Sequence, residues 1–156
     1  MAADGSPRVR TLVFRGWAGS AQLDLLSDAR SAKAGELALQ PAVELCWLLP
    51  RARAQFRLRG RVEPLNAARE QRERERHWRT LSPAARALWD WPPPGAPLDA
   101  NVSFAAERSE AEPMPASFLL LRIGLSQVEL LDLNRHPHSR RRWRAESGWL
   151  EEALNP

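Results

Sequence analysis

The sequence has one cysteine and no long apolar run, and both features limit what the protein can be. Cys46 cannot form an internal disulfide, and we expect it to pack as a small apolar group inside an apolar run. No segment approaches the roughly 20 apolar residues that a membrane-spanning helix needs, and the first residues lack the apolar core of a signal peptide. By elimination, we expect a cytoplasmic protein without a membrane partner.

The motifs of the commonest nucleotide and catalytic sites are also absent. Neither GxGxxG nor GxxxxGK[ST] occurs, and there is no GxSxG motif for a nucleophilic serine. The three histidines, His77, His136 and His138, lack the HExxH or CxxC context of a zinc site, so no metal site is predicted. If the chain is an enzyme, we therefore expect a bound cofactor to carry the difficult chemistry.

Lysine is almost absent, because only Lys33 among the 23 basic residues is a lysine. It follows Ser27 and Ser31 in a polar turn between a strand-like run and a helix-like run. One interpretation is a phosphate site, built from a compact ammonium group and two hydroxyls. The other is an ordinary exposed lysine at a solvated helix start, and composition alone leaves both open.

Positive charge is in excess, with a net charge of +4 and a pI near 10.7. Such an excess suggests a nucleic-acid partner, which would give retention that depends steeply on salt. However, the arginines of segments such as Arg69–Arg76 alternate with glutamates, so their field is cancelled locally. A nucleic-acid partner is therefore kept only as a lesser alternative.

Length and patterning predict one domain, 1–156, with a loose N-terminal tail at 1–6. Alternating or continuous apolar runs predict strands at Arg8–Trp17, Gln22–Leu26, Ala42–Leu49, Ala54–Glu63, Ser117–Ile123, Gln127–Leu133, Arg140–Arg144 and Gly148–Glu152. The first two are expected to form a hairpin and the third to be buried. In the fourth, Phe56 and Leu58 should face the core, with a bulge at Gly60.

Three segments have helical patterns, and two irregular segments follow them. The predicted helices are Ser31–Gln40, Leu65–Arg79 and Ser82–Trp89, and the irregular segments are the proline-rich Trp91–Pro97 and the polar Leu98–Pro115. We expect mobility or a partner contact in the last of these. About eight strands and two or three helices in this order predict a mainly β fold with helical insertions, an antiparallel barrel.

Groups that bind anions are spread over several of the predicted strands. They are Arg10 and Arg15, then Ser27, Ser31 and Lys33, then Gln55, and finally the Arg140–Arg142 run. If the strands close into a small barrel, these groups can converge on one phosphate near a helix N-terminus. The alternative is that they are rim residues, because arginine is abundant in this chain.

Five segments, taken in order, carry the motifs of one family. They are Arg10–Arg15, Ser27–Ala34, Ala54–Gly60, Asn134–Trp143 and the terminal Leu154–Pro156. This ordered set resembles the pyridoxamine 5'-phosphate oxidase-like FMN-binding split barrels, in particular a compact oxidase-related branch that is common in cyanobacteria. The resemblance implies an antiparallel FMN-binding split β-barrel, FMN as cofactor, and a homodimer with FMN at the subunit interface.

The resemblance also implies which residues hold the FMN phosphate. Arg10 and Lys33 match the basic residues that grip this phosphate in the family, and Ser27 and Ser31 match their hydroxyl partners. These four residues lie early in the chain, on both sides of the predicted second strand.

Residues around the flavin ring are implied in the same way. Thr11 and Leu12 match backbone positions against the isoalloxazine, and Arg15 matches a lysine that contacts both the flavin and the substrate phosphate. Gln55 matches an amide that hydrogen-bonds the ring, and Arg141 matches a late arginine that reaches the cofactor. No catalytic acid or base is implied.

Several positions depart from the oxidases of this family. Ala32 replaces a second basic residue, Leu26 replaces an aromatic residue, Leu131 aligns with a tryptophan near the cofactor, and Pro137 aligns near a basic residue that binds substrate. Flavin binding tolerates these losses better than pyridoxamine phosphate recognition does.

Two functions from different classes therefore fit the sequence. The first is an FMN-dependent oxidoreductase in which hydride passes to flavin N5, with an unknown small-molecule substrate. The second is a split-barrel module that holds FMN or haem and has no pyridoxamine phosphate oxidase activity. Trp78, Trp89 and Trp91 either wall the substrate side of the flavin or pack in the core or a dimer interface, and we expect packing.

Overall fold

The computed structural model describes residues 4–156, and its framework is a seven-stranded antiparallel sheet. The strands are β1 (Phe14–Gly19), β2 (Gln22–Asp28), β3 (Ala42–Leu49), β4 (Ala54–Val62), β5 (Phe118–Asp132), β6 (Ser139–Arg144) and β7 (Glu152–Leu154). The helices are α1 (Ala32–Leu39), α2 (Ala67–Thr80) and α3 (Pro83–Ala87), with a short 3-10 helix at Ala145–Ser147. The predicted mainly β fold with helical insertions is confirmed.

The N-terminal tail predicted at 1–6 is described only in part. Residues 1–3 lie outside the described range. Within it, Asp4 accepts hydrogen bonds from the backbone and hydroxyl of Ser6 and forms an exposed ion pair with Arg8. This local turn makes no contact that would fix it to the sheet.

Strand β5 is the centre of the sheet. The strand order is β1-β2-β5-β4-β3, and β6 also pairs with β5 before β7 pairs with β6. The sequence predicted two strands here, Ser117–Ile123 and Gln127–Leu133, and that prediction was wrong because the chain runs straight through the intervening residues. A register shift between Arg59 and Gly60 on β4, the predicted bulge, keeps the two strands paired past this point.

Glycine is required where β4 and β5 come closest. A Cβ atom placed on Gly60 would lie 2.2 Å from the carbonyl oxygen of Gly124, a distance that no side chain tolerates. The absence of a side chain at Gly60 therefore permits the close approach of the two strands at the bulge.

The outer strands β1 and β3 meet through aromatic rings. The rings of Phe14 and Trp47 are 4.9 Å apart between centroids, and those of Phe14 and Trp17 are 5.4 Å apart. Within residues 4–156 no backbone ladder joins the two strands, so ring packing closes the sheet on itself. We call these three residues the aromatic seam.

Apolar residues pack on both faces of β2 and of the first half of β5. One cluster comprises Leu23, Leu25, Leu58, Leu121, Ile123 and Leu125, and the other comprises Leu26, Trp78, Leu81, Trp89, Phe118 and Leu120. Because side chains alternate along a strand, the first cluster fills the inside of the sheet and the second lies under α2 and α3. Trp78 and Trp89 therefore pack in the core, as predicted.

The predicted hairpin of β1 and β2 is confirmed, and so are the three helices. The first strand begins at Phe14, however, and not at Arg8 as predicted. Ser82 caps α3 as predicted, its hydroxyl oxygen accepting a hydrogen bond from the Ala85 N–H at 3.2 Å. The expected burial of β3 was wrong, because β3 is an edge strand with alternate side chains exposed. Cys46, which was expected to pack as a small apolar group, is one of the exposed residues. The last strand starts later than predicted, since Gly148 and Trp149 have left-handed backbone angles that turn the chain.

The segment 98–115 contains no helix or strand, as predicted. No helix within the described residues 4–156 has both the length and the apolarity to cross a membrane.

Candidate functional site

A cavity of about 590 Å³ lies where β1 begins, β2 ends and α1 starts. Five of the predicted site residues line it: Thr11, Leu12, Arg15, Ser27 and Lys33. Its remaining walls come mainly from the segment that follows α3, residues 88–104, which includes the proline-rich stretch. Residues far apart in the sequence are thus brought to one cleft of ligand size.

Lys33 lies in the first turn of α1, where its ammonium group reaches back to two serines. Its Nζ is 2.6 Å from the hydroxyl oxygen of Ser27 and 3.4 Å from that of Ser31. Ser31 is the N-cap residue of α1, and its own hydroxyl donates to the Asp28 carbonyl at 2.6 Å. We call Lys33, Ser27 and Ser31 the lysine cluster.

Within residues 4–156, no carboxylate is bonded to the positively charged lysine cluster. Burial lowers the pKa of Lys33, and the nearby Arg10 guanidinium lowers it further, while Asp28 and Glu36 act in the opposite direction. Asp28 is itself paired with Arg30 at 2.6 Å. An anion at this place would offset both the burial and the repulsion from Arg10.

Arg10 lies outside the wall of the cavity but close to it. Its guanidinium forms an ion pair of 2.8 Å with Glu36, on the helix that carries Lys33. Arg10 therefore adds charge beside the cavity, and part of that charge is offset by Glu36.

Arg15 extends from β1 at the edge of the cavity. It is exposed, and within residues 4–156 no carboxylate lies within ion-pair distance of it. Thr11 and Leu12 precede β1 in a segment without ladder hydrogen bonds, so their backbone groups are open to a ligand.

Gln55 and Arg141 lie away from this cavity in the single subunit. Gln55 lines a smaller cavity of about 90 Å³ together with Arg57, Glu129 and Arg140. Cross-strand partners share a face of a sheet, and the partner of both Gln55 and Arg140 is Leu131. Arg141 therefore lies on the opposite face from Gln55.

Arg141 is held by neighbours near the end of the chain. Its guanidinium lies 5.5 Å above the Trp143 ring and 3.5 Å from Glu151, and its Nε is buried without a hydrogen-bond partner. Arg140, which was predicted only as part of the Arg140–Arg142 run and was given no role by the family resemblance, shares the small cavity with Gln55 and pairs with Glu129 at 2.6 Å. Side chains alternate along β6, and this alternation, which can be read from the sequence, places Arg140 and Arg141 on opposite faces of the sheet.

Two tryptophans hold in place the wall of the large cavity that the proline-rich segment forms, which we call the second wall. The Trp89 indole N–H donates to the Ser27 carbonyl at 3.0 Å, and the Trp91 indole N–H donates to the Ala105 carbonyl at 2.8 Å. The Trp91 ring also meets Phe104 edge to face at 5.2 Å. These bonds hold the proline-rich segment over the cavity, with Trp89 anchored directly to the lysine cluster.

A second charged group, under α2, was missed by the sequence. Arg122 makes two hydrogen bonds of 2.9 Å to the carboxylate of Asp24, and His77 approaches the same carboxylate at 2.8 Å. Arg122 also donates to Glu73 at 3.0 Å, and Arg76 bridges Glu73 and Asp24. We call these five residues the ionic cluster.

The ionic cluster could hold a cation only by displacing its arginines. Asp24, Glu73 and His77 come close enough to share an ion, but two guanidinium groups already occupy their oxygens. Burial raises the pKa of Asp24, yet hydrogen bonds from His77 and Arg122 outweigh it and lower the pKa to about 2. The signal in the sequence was a charged residue inside an apolar run, at Asp24 in β2 and at Arg122 in β5.

Comparisons with known proteins agree with this arrangement. The sequence model of the family described as "Pyridoxamine 5'-phosphate oxidase, FMN-binding domain" matches residues 1–66. The pyridoxine/pyridoxamine 5'-phosphate oxidase 2 of Arabidopsis thaliana is 29% identical over 163 residues, which cover 98% of this chain and 82% of that protein.

Two solved structures are also similar. A pyridoxamine 5'-phosphate oxidase-related, FMN-binding protein from Nostoc punctiforme superposes with a TM-score of 0.87 at 35% identity, over 99% of this chain and 84% of that one. PhzG from Burkholderia lata, solved with tetrahydrophenazine-1-carboxylic acid, superposes with a TM-score of 0.82 over 100% and 79% of the chains. At 17% identity the second likeness shows the fold alone. On the first likeness, together with the profile match, the chain belongs to the pyridoxamine 5'-phosphate oxidase-related FMN-binding family.

Proposed function

We propose that this protein binds FMN in the large cavity and that the lysine cluster holds the FMN phosphate. The observation that carries the proposal is the convergence of the Lys33 ammonium and the hydroxyls of Ser27 and Ser31 without a bonded carboxylate. A phosphate can accept hydrogen bonds from the Lys33 ammonium group and the Ser27 hydroxyl, and from the Ser31 hydroxyl once it leaves the Asp28 carbonyl. The N-terminal end of α1 adds favourable potential. Arg10, which pairs with Glu36 on α1, adds positive charge beside the cavity.

The flavin ring then extends along the segment that leads into β1. Thr11 and Leu12 offer backbone groups to the ring, and Arg15 lies at the edge of the cavity. The apolar second wall keeps water from the ring. When bound, FMN supplies a hydride acceptor at N5, which is the chemistry of an oxidoreductase. The residues of this chain bind the cofactor, orient it and keep water away from it.

A second copy of the chain completes the site in this proposal. Gln55 and Arg141 do not reach the lysine cluster within one subunit, yet both match cofactor contacts of the family. Exposed apolar residues on the barrel support a homodimer: Val13 is 59% exposed, Trp17 56% and Leu48 58%. If Gln55 and an arginine of β6 act on the same face, Arg140 is the better placed of the two arginines.

Oxidation of pyridoxamine phosphate is a separate question from FMN binding. The alternative is a flavoprotein that holds FMN and does not oxidise vitamin B6 compounds, which the departures at Ala32 and Leu26 favour. Both functions share the same cofactor site, so one sequence of measurements separates them.

The first experiment is an absorbance scan of the purified protein, followed by titration with FMN. We expect a flavin spectrum, and we expect loss of FMN binding in Lys33→Met but not in Arg72→Met, which removes an exposed cation of α2. A colourless protein that ignores FMN, or one with a haem spectrum, would overturn the proposal. Bleaching of the flavin by pyridoxamine phosphate under nitrogen would then assign the oxidase activity, and an unchanged spectrum would assign the alternative.

A mixing experiment tests the shared site. Lys33→Met and Gln55→Ala subunits should each bind FMN weakly, and unfolding and refolding them together should restore strong binding in part. Recovery is expected because each mixed dimer contains one site with both native residues. Light scattering gives the oligomeric state, and no recovery in a confirmed mixed dimer would contradict a site built from two subunits.

A further inference from the structure

The wall that the proline-rich segment gives to the cavity is almost uncharged. We propose that the space beside the cofactor takes an apolar ring compound without a phosphate group, so that this chain selects against phosphorylated substrates. The proposal rests on the proposed function, because it assumes that FMN occupies the lysine cluster.

The charges that line the cavity are few and mostly committed. They are Lys33, Arg15, Asp28 and Asp99. With Lys33 on the FMN phosphate and Asp28 paired with Arg30, one cation and one carboxylate remain. Among the cavity-lining groups of this chain, a second phosphate, which carries roughly two negative charges, would have Arg15 as its one remaining cation and would face Asp99 as well. Burial of a dianion with so little compensation is unfavourable.

The arginines near this wall are already bonded to other groups. Arg108 pairs with Asp90 and donates to the Pro113 carbonyl. Arg86 is buried, donates to the Trp78 carbonyl at 3.1 Å and pairs with Glu110 at 3.1 Å. Neither guanidinium lines the cavity, so neither is available to a substrate phosphate without breaking its present bonds.

The wall itself offers ring surfaces and few donors. The indole N–H groups of Trp89 and Trp91 are already bonded to carbonyl oxygens. The prolines of the segment have no backbone N–H, and Phe104 adds an aromatic edge. Apolar rings stack favourably on such surfaces, while a phosphate finds few donors there.

The test compares 2-naphthol with 2-naphthyl phosphate, which share one ring system and differ in the phosphate group. Both are titrated calorimetrically into the FMN-saturated protein. We expect 2-naphthol to bind at least about tenfold more tightly, equivalent to about 1.4 kcal/mol. Equal or tighter binding of 2-naphthyl phosphate, or no binding of 2-naphthol, would overturn the inference.

A charge introduced on the wall provides a second measurement. Leu98 lines the cavity and is 82% exposed, so Leu98→Arg should fold normally. We expect this variant to bind 2-naphthyl phosphate about tenfold more tightly than the parent protein does. The matched control is Leu39→Arg on α1, also an exposed leucine at 85% but outside the cavity, which should leave both affinities unchanged. Equal effects of the two variants would contradict a substrate space under this wall.

Failure of the inference differs from failure of the proposed function. The flavin spectrum is recorded before and after each titration. Protein that never takes up FMN refutes the cofactor site, whereas FMN-loaded protein that prefers the phosphate ligand refutes only the substrate class.

Discussion

Two groups of charged side chains lie close together along β2, and they differ in one respect. In the ionic cluster, Asp24 is fully buried and meets partners of opposite charge at hydrogen-bond distance. In the lysine cluster, Lys33 is bonded to hydroxyls and to no carboxylate. The first group is complete within the chain, and the second lacks an anion. Charge balance, more than burial, therefore distinguishes the group that joins α2 to the sheet from the group that we propose binds the FMN phosphate.

The largest expected effect comes from unbalancing the ionic cluster. Asp24→Asn removes the carboxylate opposite the buried Arg122 guanidinium and should lower the free energy of unfolding by about 3 to 5 kcal/mol. Urea denaturation followed by far-ultraviolet circular dichroism measures this change. A loss below about 1 kcal/mol, the range of a surface ion pair, would mean that the cluster does not join α2 to the sheet.

Lys33→Met should weaken FMN binding without lowering the free energy of unfolding, in contrast to Asp24→Asn. Loss of a charged donor to the FMN phosphate should weaken FMN binding by about 1.5 to 3 kcal/mol, measured by quenching of flavin fluorescence. The free energy of unfolding without FMN should stay the same or rise, because burial of the ammonium group is unfavourable. A variant that is destabilised as much as Asp24→Asn would erase the distinction between the two clusters.

Acid should weaken the ionic cluster in a defined range. Because the folded-state pKa of Asp24 is about 2 and its ordinary value is 3.8, its contribution is complete above 3.8 and is lost as the pH falls through about 2. The shift corresponds to about 2 kcal/mol. The difference in unfolding free energy between the wild type and Asp24→Asn should therefore narrow over this range, and a constant difference would contradict the ion-pair account.

The smallest expected effect concerns Arg10. Its ion pair with Glu36 offsets part of its charge, so Arg10→Met should weaken FMN binding by about 1 kcal/mol or less, which is below the effect of Lys33→Met. Arg8→Met, which breaks the exposed pair with Asp4, is the matched control and should change nothing. A larger loss from Arg10→Met than from Lys33→Met would make Arg10 the main phosphate ligand.

Local patterns predicted most of the strands, because alternation and capping are recorded within a few residues. The bulge at Gly60 and the cap at Ser82 are of this kind. The continuity of β5 was missed because it depends on a partner strand that approaches within contact of Gly124. The pairing of Asp24 with Arg122 was missed because nothing local links positions so far apart in sequence.

The same difference between local and long-range information applies to the candidate site. The turn that carries Lys33, Ser27 and Ser31 is local. Its composition left a phosphate site and an ordinary exposed lysine both open, and the family resemblance implied the phosphate site. The roles of Gln55 and Arg141 came from family resemblance, and within one subunit they lie apart from that turn. The homodimer, the cytoplasmic location and the single domain at 1–156 stay predictions.

The aromatic seam has a consequence for how a bulky molecule enters the protein. Parting Phe14 from Trp47 sacrifices ring contacts but breaks no backbone ladder within the described chain, so the barrel can widen there at low energetic cost. The residues just before Phe14 border the large cavity that we propose holds FMN. Amide protons of β1 and β3 should therefore exchange with deuterium sooner than those of β5, and cofactor loading should slow that exchange.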